Sequence, residues 1–104
     1  MSDKTIDPTT LQAKQALLAG FSIGAHVSAM IYVGMKLGLY VAMRTSGPVT
    51  SETLATSTGL HERWIREWLR GQAAGNVLEY DAPDGAFSLS PEMAVLLADP
   101  DHLM

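Results

Sequence analysis

Between Gly59 and Gly85 the chain reads GLHERWIREWLRGQAAGNVLEYDAPDG, and this stretch narrows the possible folds more than any other. A turn at Gly59 leads into a segment in which Trp64, Ile65, Trp68 and Leu69 recur at helical spacing as one broad apolar stripe. Gly75-Asn76 stops that helix, predicted over about 61–74. The chain then alternates: Val77–Asp81 and Ala86–Ser90 flank Ala-Pro-Asp-Gly, the chemistry of a hairpin turn. Leu78 and Tyr80 share one face of the first predicted strand, and Phe87 and Leu89 one face of the second.

Upstream, Ser46-Gly47-Pro48 is a turn, and Val49 suits a very short strand. Thr50 or Ser51 caps a helix over 51–58, with Glu52 in its first turn where a negative charge suits the dipole. Asp7-Pro8 starts an earlier helical run. Gly20 and Gly24 are expected to bend or split it into helices near 8–23 and 25–44. Ser90-Pro91-Glu92 starts a last short helix that ends near Asp99-Pro100. The order of helix, short strand, helix, tight turn, helix and hairpin is that of a winged helix. The expected fold is mainly α: a winged helix-turn-helix with an N-terminal helical extension and a small β-hairpin wing. Its expected divisions are 1–24 for the extension, 25–98 for the winged helix and 99–104 for the start of a linker.

A winged helix raises the question of DNA, and charge weighs against it. The chain has 7 basic and 11 acidic residues, a formal net charge of −4. Arg63, Arg66 and Arg70 form a stripe on the predicted reading helix. Glu62 stands four residues before Arg66, and Arg63 four before Glu67, spacings that allow local ion pairs worth roughly 0.2–0.5 kcal/mol each. Across 61–90 the three arginines face Glu62, Glu67, Glu79, Asp81 and Asp84. Contacts to phosphate supply most non-specific affinity for nucleic acid, so no nucleic-acid partner is expected.

The segments Val49-Thr50-Ser51-Glu52-Thr53-Leu54-Ala55 and Thr58-Gly59-Leu60-His61-Glu62-Arg63-Trp64-Ile65-Arg66-Glu67-Trp68-Leu69 resemble the N-terminal domain of bacterial class I S-adenosylmethionine-dependent methyltransferases. Lys36-Leu37-Gly38-Leu39-Tyr40, Gly75-Asn76-Val77-Leu78-Glu79-Tyr80-Asp81 and Phe87-Ser88-Leu89-Ser90-Pro91-Glu92 are similar to the same pattern, so the resemblance runs from about Leu11 to Ala98. It implies an enzyme whose Rossmann-like catalytic half lies outside this sequence. That half would bind S-adenosylmethionine through a Gly-x-Gly loop, a pattern this sequence lacks. It also implies a domain that dimerises and walls in a small-molecule substrate, inactive by itself. Asp99-Pro100-Asp101-His102 reads as the start of the linker. A DNA-binding regulator domain and a free-standing dimeric interaction module are the alternatives.

From Leu17 to Met35 there are 19 residues without formal charge. Gly20, Gly24, Gly34, Ser22, Ser28 and His26 dilute that run, and no membrane span is expected. Ala16, Gly20, Gly24 and Ser28 form a row of small residues through which a second helix can approach. Two readings stay open: packing on the winged helix, or a two-fold dimer interface using Leu17, Gly20, Phe21, Gly24, Ser28 and Ile31. Met30 and Met35 are core residues or, with the missing domain present, substrate-lining ones.

Cysteine is missing from the sequence, which removes thiol nucleophiles and disulfides. His26, His61 and His102 lack metal-ligand spacing; His26 suits a partly buried, satisfied position and His61 a helix cap. Asp81 and Asp84 suit a turn rather than acid–base chemistry. No catalytic, cofactor-binding or metal residue is assigned. MSDKTIDPTT has no secretory pattern, so the cytoplasm is expected.

Overall fold

The computed structural model describes residues 5–99. Its elements are α1 (Pro8–Lys36), α2 (Leu39–Ser46), α3 (Ser51–Thr58), α4 (Glu62–Ala74), β1 (Glu79–Asp81), β2 (Ala86–Ser88) and α5 (Pro91–Ala98). The mainly α winged helix-turn-helix is therefore observed. Of the linker predicted over 99–104, all but Asp99 lies outside the described residues, His102 included.

Each helix starts where its sequence supplies a cap. Asp7 Oδ2 accepts hydrogen bonds from Thr10 N at 3.3 Å and Thr10 Oγ1 at 2.7 Å, with Pro8 in the first turn. Those bonds, the Thr10 hydroxyl foremost, hold the Asp7 carboxyl below its ordinary pKa of 3.8. Thr50 and Thr53 form a reciprocal box, each side-chain oxygen accepting from the other's backbone N–H at 3.2 and 2.9 Å. His61 Nδ1 accepts from Arg63 N at 3.3 Å, the capping role its position suggested. Ser90 Oγ accepts from Met93 N at 3.2 Å.

The expected split at Gly20 and Gly24 does not occur. A helical glycine costs about 1 kcal/mol relative to alanine, which weakens a helix without ending it. The break falls instead at Gly38, whose φ of 72° is left-handed and open to a residue without a side chain. Leu37 N and Gly38 N close the end of α1 on Val33 O and Met35 O. The boundary expected at residue 24 thus lies inside one 29-residue helix, about 43 Å long at 1.5 Å per residue.

Around α2–α5 sits the core: Leu39, Tyr40, Leu54, Ile65 and Leu69 are fully buried, and Met43, Val49, Trp68, Leu78, Phe87 and Leu97 nearly so. Trp64, predicted on the same apolar stripe, is instead 38 % exposed. Gln72 takes the inward position one turn beyond Trp68 and accepts a hydrogen bond at Oε1 from the buried Tyr40 hydroxyl. Burial pushes the Tyr40 pKa upward.

The hairpin pairs Glu79 with Ser88, Tyr80 with Phe87 and Asp81 with Ala86. Val49 joins it as the expected short strand: Val49 N donates to Phe87 O at 2.9 Å and Phe87 N to Val49 O at 2.7 Å. The strands are shorter than the predicted 77–81 and 86–90, because Val77 N and Leu78 N bond to Gln72 O and finish α4. Leu78 is buried while Tyr80 is 53 % exposed, its ring braced on Phe87 with centroids 4.7 Å apart.

Candidate functional site

The exposed part of α1 is the first candidate. In α1 Gly34 is buried, and Val27, Met30, Ile31 and Met35 are partly buried against the core. N-terminal to Val27 every described residue of the helix is exposed. Leu17 is 49 % exposed and Phe21 65 %. Leu18 and Ile23, at 64 and 63 %, extend the same apolar surface. A Cβ added at Gly20 or Gly24 would meet nothing within 4 Å, and Ser28 is exposed.

The residues named from sequence therefore separate. Leu17, Gly20, Phe21, Gly24 and Ser28 lie on open surface, whereas Ile31, Met30 and Met35 pack partly on this chain's own core. Packing on the winged helix, one of the two open readings, holds for the C-terminal part of α1 and fails for residues 8–26. His26, expected to be partly buried, is exposed, at the margin where the helix leaves the domain.

Where α1 meets the domain, the contact is close. Trp68 Nε1 donates to Met30 O at 2.9 Å, and the Trp68 and Tyr40 rings stand 5.2 Å apart, tilted by 56°. A Cβ on Gly34 would lie 2.8 Å from Tyr40 Cε2 and nearer still to Trp68 Cζ2. One on Gly75 would lie 3.1 Å from Val27 Cγ2. The glycine that permits close helix packing within the chain is thus Gly34, which the row at Gly20 and Gly24 overshadowed. Its signal was present: Gly34 lies one turn beyond Met30, close before the Lys36–Tyr40 break.

Among the described residues, α1 is the helix long and apolar enough to cross a bilayer, with mean hydropathy 1.7 over 18 residues and none of that window buried. That is more apolar than its glycines and serines suggested.

The arginine row on α4 is the second candidate. Arg66 Nε lies 3.7 Å from Glu62 Oε2, the first of the two predicted pairs. Glu62 also accepts a hydrogen bond from Ser51 Oγ at 2.6 Å. Arg63 and Glu67, the second predicted pair, form no ion pair among the described residues. The wing beside them is acidic, with Glu79, Asp81 and Asp84 exposed. Among the described residues no cluster of His, Asp and Glu is arranged to hold a metal ion.

S-adenosylmethionine, implied by the resemblance, does not suit these residues. The strand-to-helix connection, Leu89-Ser90, carries no glycine, and the sequence holds no Gly-x-Gly.

Comparison with known proteins agrees with this geometry. Residues 25–99 match the family described as the Rv2258c-like winged HTH domain. The mitomycin biosynthesis 6-O-methyltransferase of Streptomyces lavendulae is 36 % identical over 77 residues, covering 74 % of this chain and 22 % of that protein. The structure of the mitomycin 7-O-methyltransferase MmcR superposes with a TM-score of 0.80 at 30 % identity, over 92 % of this chain and 28 % of that one. CalO1, a methyltransferase in calicheamicin biosynthesis in its SAH-bound form, gives 0.69 at 28 % identity, over 91 % of this chain and 27 % of that one. The chain thus spans about a quarter of the length of these relatives, in their N-terminal part.

Proposed function

This chain belongs to the Rv2258c-like winged HTH domains, and from that premise we propose that it is the N-terminal dimerising and substrate-enclosing domain of an S-adenosylmethionine-dependent methyltransferase. Methyl transfer and cofactor binding belong, on this reading, to a C-terminal domain of the parent enzyme. That enzyme acts on a small molecule in the cytoplasm, without a nucleic-acid or membrane partner.

One observation carries the dimer: an apolar helix surface from Leu11 to Ile23 that none of the other described residues covers. Each large apolar side chain buried there contributes about 1.5–3 kcal/mol, and a wet patch of this kind marks an interface. Two-fold packing along Ala16, Gly20, Gly24 and Ser28 would let the helices approach closely, with Leu17 and Phe21 flanking the seam. Ile31 would lie where the seam meets the domain. Met30 and Met35, at the junction of α1 and the core, are the residues we assign to the substrate wall, their flexible thioethers suiting an adaptable apolar surface.

The same α1 surface is what a bilayer-crossing helix would present. Its place in a fold that superposes on methyltransferase structures over 91–92 % of the chain supports packing against protein instead.

Sedimentation of the 104-residue chain tests the reading. The wild type should run as a dimer and Phe21→Glu as a folded monomer; a monomeric wild type at high concentration overturns the dimer.

A second reading, a DNA-binding regulator, draws on one feature: Arg63 and Arg70 point from α4 without an ion-pair partner among the described residues. Steeply salt-dependent binding to random duplex DNA would favour it.

A further inference from the structure

We propose that the cleft between α3, α4 and the hairpin is a binding site for a small aromatic carboxylate, a role separate from dimerisation and from methyl transfer. The cleft is open to solvent, has a volume of about 600 Å³ and is lined by Ser51, Arg66, Arg70, Tyr80 and Phe87, with Glu52 and Asp84 among its other walls. That volume is within the range of small-molecule sites.

Two guanidinium groups share one wall, a single helical turn apart. Neither makes a hydrogen bond to a described residue. Arg66 Nε is closed off from solvent and meets Glu62 only as an ion pair at 3.7 Å. Ser51 Oγ, 2.6 Å from the same carboxylate oxygen, pins Glu62 and so steadies the arginine beside it. Arg70 has no ion-pair partner among the described residues. A guanidinium offers a planar fork of donors that matches a carboxylate.

The hairpin residues of the lining supply a place for a ring. Tyr80 is half exposed, and the Phe87 ring packs against it at 4.7 Å between centroids and 41° between planes. A braced, half-open ring is a platform on which a flat ligand stacks in offset or tilted geometry.

Charge selects among anions. Glu52 and Asp84 line the cleft together with the two arginines, so its formal charges cancel. A phosphodiester chain crossing the whole cleft meets both signs and gains little. A single carboxylate seated on the arginine wall, its ring on Tyr80, uses the favourable half alone.

The test uses the 104-residue chain and 2-naphthoate as the probe, followed by isothermal titration and by backbone amide shifts. Binding should shift amides around Arg70 and Tyr80, and Arg70→Gln, a change to an exposed side chain, should weaken it at least tenfold. Tyr80→Ala should weaken it as well, and 2-naphthalenemethanol, which lacks the carboxylate, should bind at least tenfold less tightly than 2-naphthoate. Equal affinity for acid and alcohol would overturn the proposal. So would undiminished binding to Arg70→Gln, shifts confined to residues outside α3, α4 and the hairpin, no binding at millimolar 2-naphthoate, or tighter binding of duplex DNA that 2-naphthoate does not displace. None of these outcomes depends on whether the chain dimerises.

Discussion

The two ends of α1 are the same helix in different solvents. From Val27 to Lys36 the helix rests on the winged domain: Gly34 is buried, and Met30 accepts the indole N–H of Trp68. From Pro8 to His26 it meets water on every side, although Leu17, Leu18, Phe21 and Ile23 are as apolar as the residues that make the core. The difference teaches that hydrophobic content does not by itself decide burial. A domain built on α2–α5 has one face to offer α1, and that face is used up by about residue 27. Most helical stability in proteins comes from packing of an apolar face rather than from propensity, and the free end packs on no other described residue, so it calls for an external surface.

Substitutions in the packed domain and on the free end of α1 should diverge most where packing is tightest. Leu69→Ala empties a fully buried position of α4 and should cost about 2–5 kcal/mol in denaturant unfolding. Phe21→Ala, read in dilute solution, should cost far less, since Phe21 touches no core. Gly34→Ala forces a methyl group against Trp68 and Tyr40 and should cost about 1–3 kcal/mol. Similar losses from Phe21→Ala and Gly34→Ala would erase the distinction between the ends.

Gly24→Ala sharpens the comparison because its sign depends on concentration. Beyond the helix's own backbone, no described residue lies within 4 Å of the added methyl group, so in dilute solution the helix should gain about 0.5–1 kcal/mol from the better helix former. At high concentration the same methyl group should weaken self-association if the small-residue row is the seam. A variant that is more stable and associates undiminished would move the seam elsewhere on α1.

The smallest effect expected is at the first turn. Asp7 has a lowered pKa because its carboxylate accepts hydrogen bonds from Thr10. The cap therefore acts fully above the ordinary value of 3.8 and is lost as pH falls through the lowered folded value. Amide exchange at residues 9–12 should quicken on acidification through that window, and Asp7→Ala should remove the dependence.

Much of the winged helix was legible because its signals are local. Thr50, Gly59, Gly75-Asn76 and Ser90-Pro91 each mark a boundary through backbone chemistry confined to a few residues. The course of α1 was not. Gly20 and Gly24 look like breaks by propensity, yet a modest cost per glycine is spread over 29 residues, whereas Gly38 ends the helix by adopting a conformation a side chain resists. The burial of Gln72 and the exposure of Trp64 were equally hidden, because both depend on the angle at which α1 and α2 cross α4. In the candidate sites, the open positions of Leu17 and Phe21 were visible as pattern. The cleft at Arg70 and Tyr80 was not, since it joins a helix to a hairpin strand brought together by the fold.

Native-state amide exchange followed at two concentrations tests the central claim, that the free end of α1 is ordered by a partner copy. Over a roughly hundredfold dilution, protection at residues 12–26 should fall while protection at 62–74 stays constant. Protection at 12–26 that is strong and independent of concentration, with the chain sedimenting as a monomer, would contradict it.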